Sequence, residues 1–471
     1  MLIAGDDVTT PDSIEVRDPA APGVVVGRAA AATPEHVAAA VEAAAGAWPA
    51  WAALAPQDRA AQLVAALDAL AASHEERVDV LVRENGKLRF EADIDLRVFE
   101  SRTRLAAGMT DDLAVQHLPG PPMRSEIHSL PLGVVSIVVP FNWPAAILAA
   151  SMPYALVAGN TVVVKPPPTA PLATVLTLRH FARQLPAGVV NVVTGEDAAV
   201  APVITHPAVQ RVVFTGSTGA GKRIMSMATE NLTRVTLELG GNDPAIVLDD
   251  AGLDEAALQR LTVASFLTSG QVCMGVKRIY VHRSRYAELV DGLTAALATS
   301  VVGPGLDPSS TMGPVHTRRQ QERLAEYVAQ AAATGAEVRE LGELGAGAHP
   351  DGYFVRPTLV LDPAADARLV TEEQFGPVLP ILPFDDLEPL VEQLNGEWSG
   401  LCSSVWTSDA ERADRVARTL RTGTTWVNNA NAVAEDDRAP FGGFRRSGIG
   451  RELGREGLRE FTEPHTITYP S

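Results

Sequence analysis

The sequence predicts an α/β protein built on two largely parallel sheets, and three observations carry that prediction. From residue 134 onward, short β-branched runs alternate with helical stretches, the rhythm of βαβ units around a buried parallel sheet. One such strand, ending at Phe214, runs into the Gly-rich turn Thr215-Gly216-Ser217-Thr218-Gly219-Ala220-Gly221 and a helix. At 471 residues the chain is also too long for one hydrophobic core, so two or three domains are expected.

The elements follow in order. The first hundred residues read mainly as helices. Thr33-Pro34 is a cap followed by a proline at the first helical position, and Val37, Val41 and Ala44 recur at helical spacing up to Trp51. A second helix is predicted from about Pro56 to Arg83 and a third from about Leu88 to Gly108. Segment 113–129, with Pro119-Gly120-Pro121-Pro122, breaks the pattern and reads as a projecting strand pair or connector. Strands are then expected at Val134–Val139, Thr161–Val164, Val189–Val193 and Arg211–Phe214, with helices at Pro144–Val157, Pro171–Gln184 and Ala220–Thr229. A second alternating block begins with a strand at Ala245–Leu248 and continues through a long helix from about Thr317 to Thr334. Two α/β domains meeting near Gly240-Gly241 are therefore expected, with a tail from about Arg438 that returns to the body.

Composition excludes several functions. A net charge of −18 leaves no excess of Lys and Arg to neutralise phosphates, which argues against nucleic acid as a partner. The most apolar stretch, Val134 to Val164, is interrupted by Pro140, Asn142, Pro144, Pro153, Gly159 and Asn160. A membrane span needs about 20 apolar residues without such interruptions, so this stretch reads as core and no membrane is expected. Two distant cysteines, Cys273 and Cys402, exclude a disulfide framework. With an N-terminus that does not read as a signal peptide, they point to a cytoplasmic protein. The ten histidines form no metal-ligand spacing, so no metal is expected.

Four places carry potential chemistry. Cys273, in Ser269-Gly270-Gln271-Val272-Cys273, is either a small buried hydrophobe or a thiol exposed between a turn and a strand. Glu238 ends the strand Arg234–Leu239 just before Gly240-Gly241, either as an exposed strand-edge acid or at the carboxyl end of a parallel sheet where ligands bind. Asn142, after the strand Val134–Val139, either caps the next helix or offers an amide N–H to an oxyanion. The turn before Lys222 nearly spells a nucleotide-triphosphate loop, but Arg223 stands where the magnesium-binding hydroxyl belongs.

Taken in order, the motifs PFNWP, GNTVVVKP, FTGST, LELGG, SGQVC, EEQFGP and PFGGFRRSG, from Pro140 to Gly448, resemble the signature series of the NAD(P)-dependent aldehyde dehydrogenase superfamily. The resemblance covers essentially the whole chain. It implies a Rossmann-type cofactor domain (1–112 and 130–239), an α/β catalytic domain (240–438) and small β bridging segments (113–129 and 439–471) that build homodimers or homotetramers. It further implies Cys273 as nucleophile, Glu238 as general base, and Asn142 sharing the oxyanion hole with the Cys273 backbone N–H. Lys165 would meet the adenosine ribose, Gly216 and Ser217 the pyrophosphate, and Glu373 and Phe375 the nicotinamide ribose and ring. Pro168, Gly221, Leu239, Trp143 and Phe141 complete the implied cofactor set. The substrate tunnel would include Phe141, Ile147, Ala150, Val272 and Met274, apolar and with room at Ala150 for a bulky or aromatic aldehyde.

The carboxylate at Glu238 favours hydrolysis to a free acid; the rival reading is a coenzyme A-acylating or semialdehyde-specific relative. Two departures from the common family pattern stand out. Pro168 replaces a glutamate that would bind both hydroxyls of the adenosine ribose, so nothing there excludes NADP and use of both cofactors is expected. Asn242 stands where a lysine is usual, with no evident consequence.

Overall fold

Five parallel strands, Val190–Val192, Thr161–Lys165, Val134–Val138, Val209–Thr215 and Arg234–Glu238, lie side by side in that order in the computed structural model, which describes residues 1–198 and 201–470. Their Val-rich cores are almost completely buried, as expected of strands covered on both faces. The strand order runs outward in one direction from Val134–Val138 and then in the other from Val209–Thr215. This reversal makes a crevice at the carboxyl ends of those two neighbours, where α/β sheets bind ligands. Antiparallel strands close both edges: Leu2–Ile3 with Asp6–Asp7 on one side, Gly448–Ile449 on the other. The helix Pro144–Ala158 is buried along nearly its whole length; it runs through Pro153 and ends at Gly159 in left-handed conformation.

A second sheet has the order Glu337–Glu340, Thr358–Leu361, Val378–Phe384, Arg278–His282, Pro244–Val247, Cys402–Trp406 and Thr424–Val427, parallel except for its first strand. The two sheets meet in a way that defines the cleft. The first contributes the carboxyl ends of its strands, at Asn142, Lys165, Gly216 and Glu238. The second contributes segments leading into the amino ends of its strands: Gly240–Asp243, Cys273–Lys277 and Glu373–Phe375.

Three departures from the sequence reading have physical reasons. The first thirty residues contain strands as well as loops: Ser13–Asp18 and Ala21–Ala30 form a hairpin, and Leu2 pairs with Val192. That pairing partner is distant in sequence, so local periodicity carries no trace of it. The stretch Pro56–Arg83 is two helices, Pro56–Asp68 and His74–Asn85, separated by a 3-10 turn at Ala71–Ser73. The projecting pair Gln116–Leu118 and Met123–Pro131 gains a third strand, Thr462–Pro470, in register from Thr462↔Pro131 to Pro470↔Met123. The tail thus returns as predicted; its last residue, Ser471, lies outside the described residues.

Candidate active site

The loop carrying Cys273 is held in an unusual backbone conformation. Thr268, Ser269 and Gly270 all have positive φ, of 52°, 55° and 72°. Such a run is costly for non-glycine residues and persists only where the surroundings impose it. Here Glu91 accepts the Thr268 N–H at 2.6 Å, Ser269 donates to the Gly313 carbonyl at 2.8 Å, and Gln271 accepts the His316 N–H at 2.9 Å. At Gly270 a β-carbon would also collide with the Gly376 carbonyl, so both space and conformation demand glycine. The loop delivers Cys273, half-buried, to the wall of a cavity of about 560 Å³ that Asn142, Glu238, Gly216, Ser217, Leu239, Glu373, Phe375 and Phe141 also line.

Asn142 does not cap the helix after it; Trp143 occupies the N-cap position. Its side-chain amide instead crosses to the cysteine loop and donates to the Gln271 carbonyl at 2.9 Å. Among the described residues the Cys273 N–H has no hydrogen-bond partner within the protein. The Asn142 amide and the free Cys273 N–H thus belong to neighbouring parts of the same cavity.

Glu238 ends its strand opposite them. Its carbonyl accepts the Gly216 N–H at 2.9 Å, which ties it to the Gly-rich turn. Its carboxylate is buried and neither oxygen has a partner. Burial first, then the carboxylate of Glu452, raises this acid well above the carboxylate range against the pull of Arg451. Burial likewise pushes the Cys273 thiol up to about 12, with Lys277 opposing. Ionising the thiol therefore requires a proton acceptor, and Glu238 is a carboxyl group on the same cavity.

The cleft matches a dinucleotide in three places. A second hollow of about 270 Å³ is lined by Val138, Ile204, Phe214 and Ile224, with Lys165 at its rim. Next comes the helix Thr218–Ala228, whose cap Ser217 accepts the Ala220 N–H at 3.3 Å. Gly221 packs tightly against Leu239 there, leaving no space for a side chain. Beyond it lies Glu373, half-buried, with an unpartnered oxygen and a pKa raised by desolvation to about 7. Gly240 lets Glu373 approach the backbone closely. Phe375, at φ 50°, meets Phe141 edge-on, and Phe141 stacks on His316 at 4.1 Å.

The remaining sequence-predicted residues divide. Val272, Ile147 and Met274 pack with Trp143 in one apolar cluster, so Trp143 stands with the tunnel residues and not on the cofactor cavity. Ala150 is buried in the main core, outside that cluster. Pro168 lies half-buried three residues beyond Lys165 and off the second hollow. Asn242 donates to the Val370 carbonyl at 2.8 Å, a structural bond that accounts for its amide. Sequence reasoning missed Asp197, which pairs with Lys165 at 2.5 Å, and Lys277, Glu452 and His316 around the cavity. No local signal marks Asp197, Glu452 or His316, whose relevance arises from long-range packing.

A cleft lined by a thiol, an unpartnered carboxylate and the start of a Gly-rich helix fits an oxidoreductase that binds a dinucleotide. Residues 7–467 match the aldehyde dehydrogenase family, and the chain belongs to it. It is 36% identical over 447 residues to phenylacetaldehyde dehydrogenase of Pseudomonas fluorescens, covering 92% of this chain and 88% of that one. The NAD+ complex of an aldehyde dehydrogenase from Bacillus cereus superposes with a TM-score of 0.94 at 35% identity, covering 100% of this chain and 96% of that one. An NADP-dependent enzyme of E. coli superposes with the same score at 31% identity, covering 100% and 98%. The chain oxidises an aldehyde to the carboxylic acid with NAD or NADP. No described helix is long and apolar enough to cross a membrane.

Proposed function

We propose that this chain converts an apolar, preferably aromatic, aldehyde into the free acid, with Cys273 as nucleophile, Asn142 and the Cys273 N–H as oxyanion donors, and Glu238 as base. The observation that carries the reading is the buried, partnerless carboxylate of Glu238 on the same cavity as the thiol. Hydride cannot leave an aldehyde directly without generating an acylium carbon, so the thiol adds first. A C–S bond forms, the thiol proton passes to Glu238 directly or through water, and the carbonyl oxygen becomes an alkoxide held by the two donors. One such donor contributes roughly 3–4 kcal/mol to the transition state. A nicotinamide held by Glu373 and Phe375 would supply the acceptor for the hydride. The carbonyl then re-forms as a thioester on Cys273. Glu238 gives up the first proton to solvent and then takes one from water as the hydroxide adds and displaces sulfur; that proton returns to the thiolate and the acid leaves.

The cavity residues divide the cofactor among them. Gly216, Ser217 and the start of the Thr218–Ala228 helix would hold the pyrophosphate, and Glu373 and Phe375 the nicotinamide ribose and ring. Lys165 would meet the adenosine ribose beside Asp197. This carboxylate supplies an acceptor where Pro168 cannot, and its charge opposes a 2′-phosphate. NAD is therefore the preferred partner. Asp197→Ala is expected to lower KM for NADP by about tenfold while changing that for NAD less. Steady-state kinetics with both cofactors would measure it, and an unchanged NADP/NAD ratio counts against the assignment.

The apolar cluster of Trp143, Ile147, Val272 and Met274, and the similarity to a phenylacetaldehyde dehydrogenase, support the aromatic substrate. Absorbance of reduced nicotinamide across an aldehyde panel tests it, without coenzyme A and with the acid product quantified. Aromatic aldehydes are expected to exceed short polar ones by about tenfold or more in kcat/KM. The reverse order would remove the substrate proposal, and a requirement for coenzyme A would remove the hydrolytic one. The three-stranded sheet, whose outer strand Gln116–Leu118 is exposed along its length, is the natural surface for a homodimer or homotetramer. We place the enzyme in the cytoplasm on the strength of its two unpaired cysteines.

A further inference from the structure

Lysine occupies only four of the 39 basic positions in the chain; every other one is arginine. All four lysines border the cleft. Lys87 lies 4.2 Å from the centre of the Trp143 ring, Lys165 rims the second hollow, Lys222 lines the main cavity, and Lys277 stands four residues after Cys273. Lys222 is exposed, whereas Lys87, Lys165 and Lys277 are buried, and of these three Lys277 stands nearest the cysteine in the chain.

The Lys277 ammonium donates to the carbonyl of Val272 and lies 5.6 Å from the centre of the Phe375 ring. That carbonyl also accepts the Gly275 N–H at 3.1 Å. It belongs to the same planar peptide as the Cys273 N–H, and in a trans peptide the two groups point in opposite directions. A cation fastened to the oxygen therefore fixes the direction of the N–H. It also draws electron density from the amide and makes the N–H a stronger donor. Around the ammonium stand the carboxylates of Asp243 and Glu373 and the thiol itself, with Glu238 acting on the thiol and Arg323 on Glu373. An arginine here would carry five donors in a rigid fork, most of them without acceptors in a buried space.

We propose that Lys277 is a positioning residue for the reaction: it aims and polarises the Val272–Cys273 peptide toward the oxyanion and sets a positive charge beside the thiol. The proposal rests on Cys273 being the nucleophile. A simpler role, as counter-ion to Asp243 and Glu373, leaves unexplained why the bond is made to the reacting cysteine's own peptide. Among the groups acting on the Cys273 thiol, Lys277 exerts the largest downward pull against burial. It also pulls down Asp243 and Glu373, which burial raises to about 8 and about 7.

The test uses the full chain with Lys277→Met, which removes charge and donor, and Lys277→Gln, which removes charge and keeps a donor. The readouts are the rate of Cys273 alkylation by iodoacetamide from pH 6 to 10, followed by peptide mass spectrometry, and kcat and KM for an aldehyde. A neighbouring charge shifts a thiol by about one unit or more. In both variants alkylation below pH 8 is expected to slow by about tenfold and its pH profile to move upward. In Lys277→Met, kcat should fall by about tenfold or more while KM changes little, because the oxyanion exists only in the transition state. Lys277→Gln is the milder change and carries the test if the methionine variant does not fold. Wild-type alkylation rates and pH profile in a folded variant would overturn the proposal. Cys273→Ala separates the two readings. If it retains activity, the nucleophile assignment fails. If it is inactive while the Lys277 variants behave as wild type, only the present inference fails.

Discussion

Cys273→Ala is expected to lower aldehyde-dependent formation of reduced nicotinamide by at least about 10⁴-fold, with cofactor binding intact. The size follows from the chemistry. Without sulfur there is no tetrahedral alkoxide, and Asn142 and the residue-273 N–H have no developing charge to stabilise. Losing the nucleophile thus also idles the donors, so the effects are not additive and the single variant should be nearly as slow as any multiple one. The side chain is half-buried on a cavity wall, so truncation to alanine disturbs packing little. Cofactor-binding fluorescence would verify that the cleft survives. Activity within tenfold of wild type would refute the covalent mechanism. Cys402, fully buried in its strand, should tolerate Cys402→Ser without comparable loss, since it does not line the cavity that carries Cys273.

Glu238→Gln is expected to split the reaction in two. Oxidation to the thioester should still proceed, more slowly, giving a burst of reduced nicotinamide close to one equivalent per site. Steady turnover should then fall by about 10²- to 10⁴-fold, the usual contribution of a general base. The pH dependence has a definite sign. Burial and Glu452 raise the folded pKa of Glu238, so a larger fraction is protonated at a given pH than for an exposed glutamate. Only the ionised form accepts a proton from water, so hydrolysis in the wild type should climb as pH rises through that raised value and fade as pH falls. In Glu238→Gln this rising limb should vanish. Rapid-mixing absorbance, repeated across pH, measures both effects; a glutamine variant with no burst and the wild-type pH limb would rule out Glu238 as the deacylating base.

Much of the architecture was legible because its signals are local. Alternating Val-rich runs and helices announced the parallel sheets, and the five parallel strands of the first sheet lie within a residue or two of their predicted places. The Gly-rich turn after Phe214 and the glycines after Glu238 marked the carboxyl edge, since those backbones need close approach. The N-terminal strand Leu2–Ile3 and the third strand of the projecting sheet were not visible, because each depends on a partner far away in sequence. The site shows the same division. Cys273, Glu238 and Asn142 each sit in a recognisable local motif, but the motif alone left Asn142 open between a cap and a donor. The N-cap at Trp143 and the amide's bond to Gln271 set the cap aside and bring Asn142 to the cysteine loop.

By itself, then, the sequence determined the fold class, the order of the strands along the chain and the residue types capable of the chemistry, because these follow from periodicity, backbone permissiveness and functional groups encoded within short windows. Only the tertiary structure decided their protonation and pairing. It buried Glu238 without a partner, set Asp197 against Lys165, and fastened Lys277 to the peptide of Cys273. These are properties of dielectric and distance, which arise where the carboxyl edge of one sheet meets the amino edge of the other.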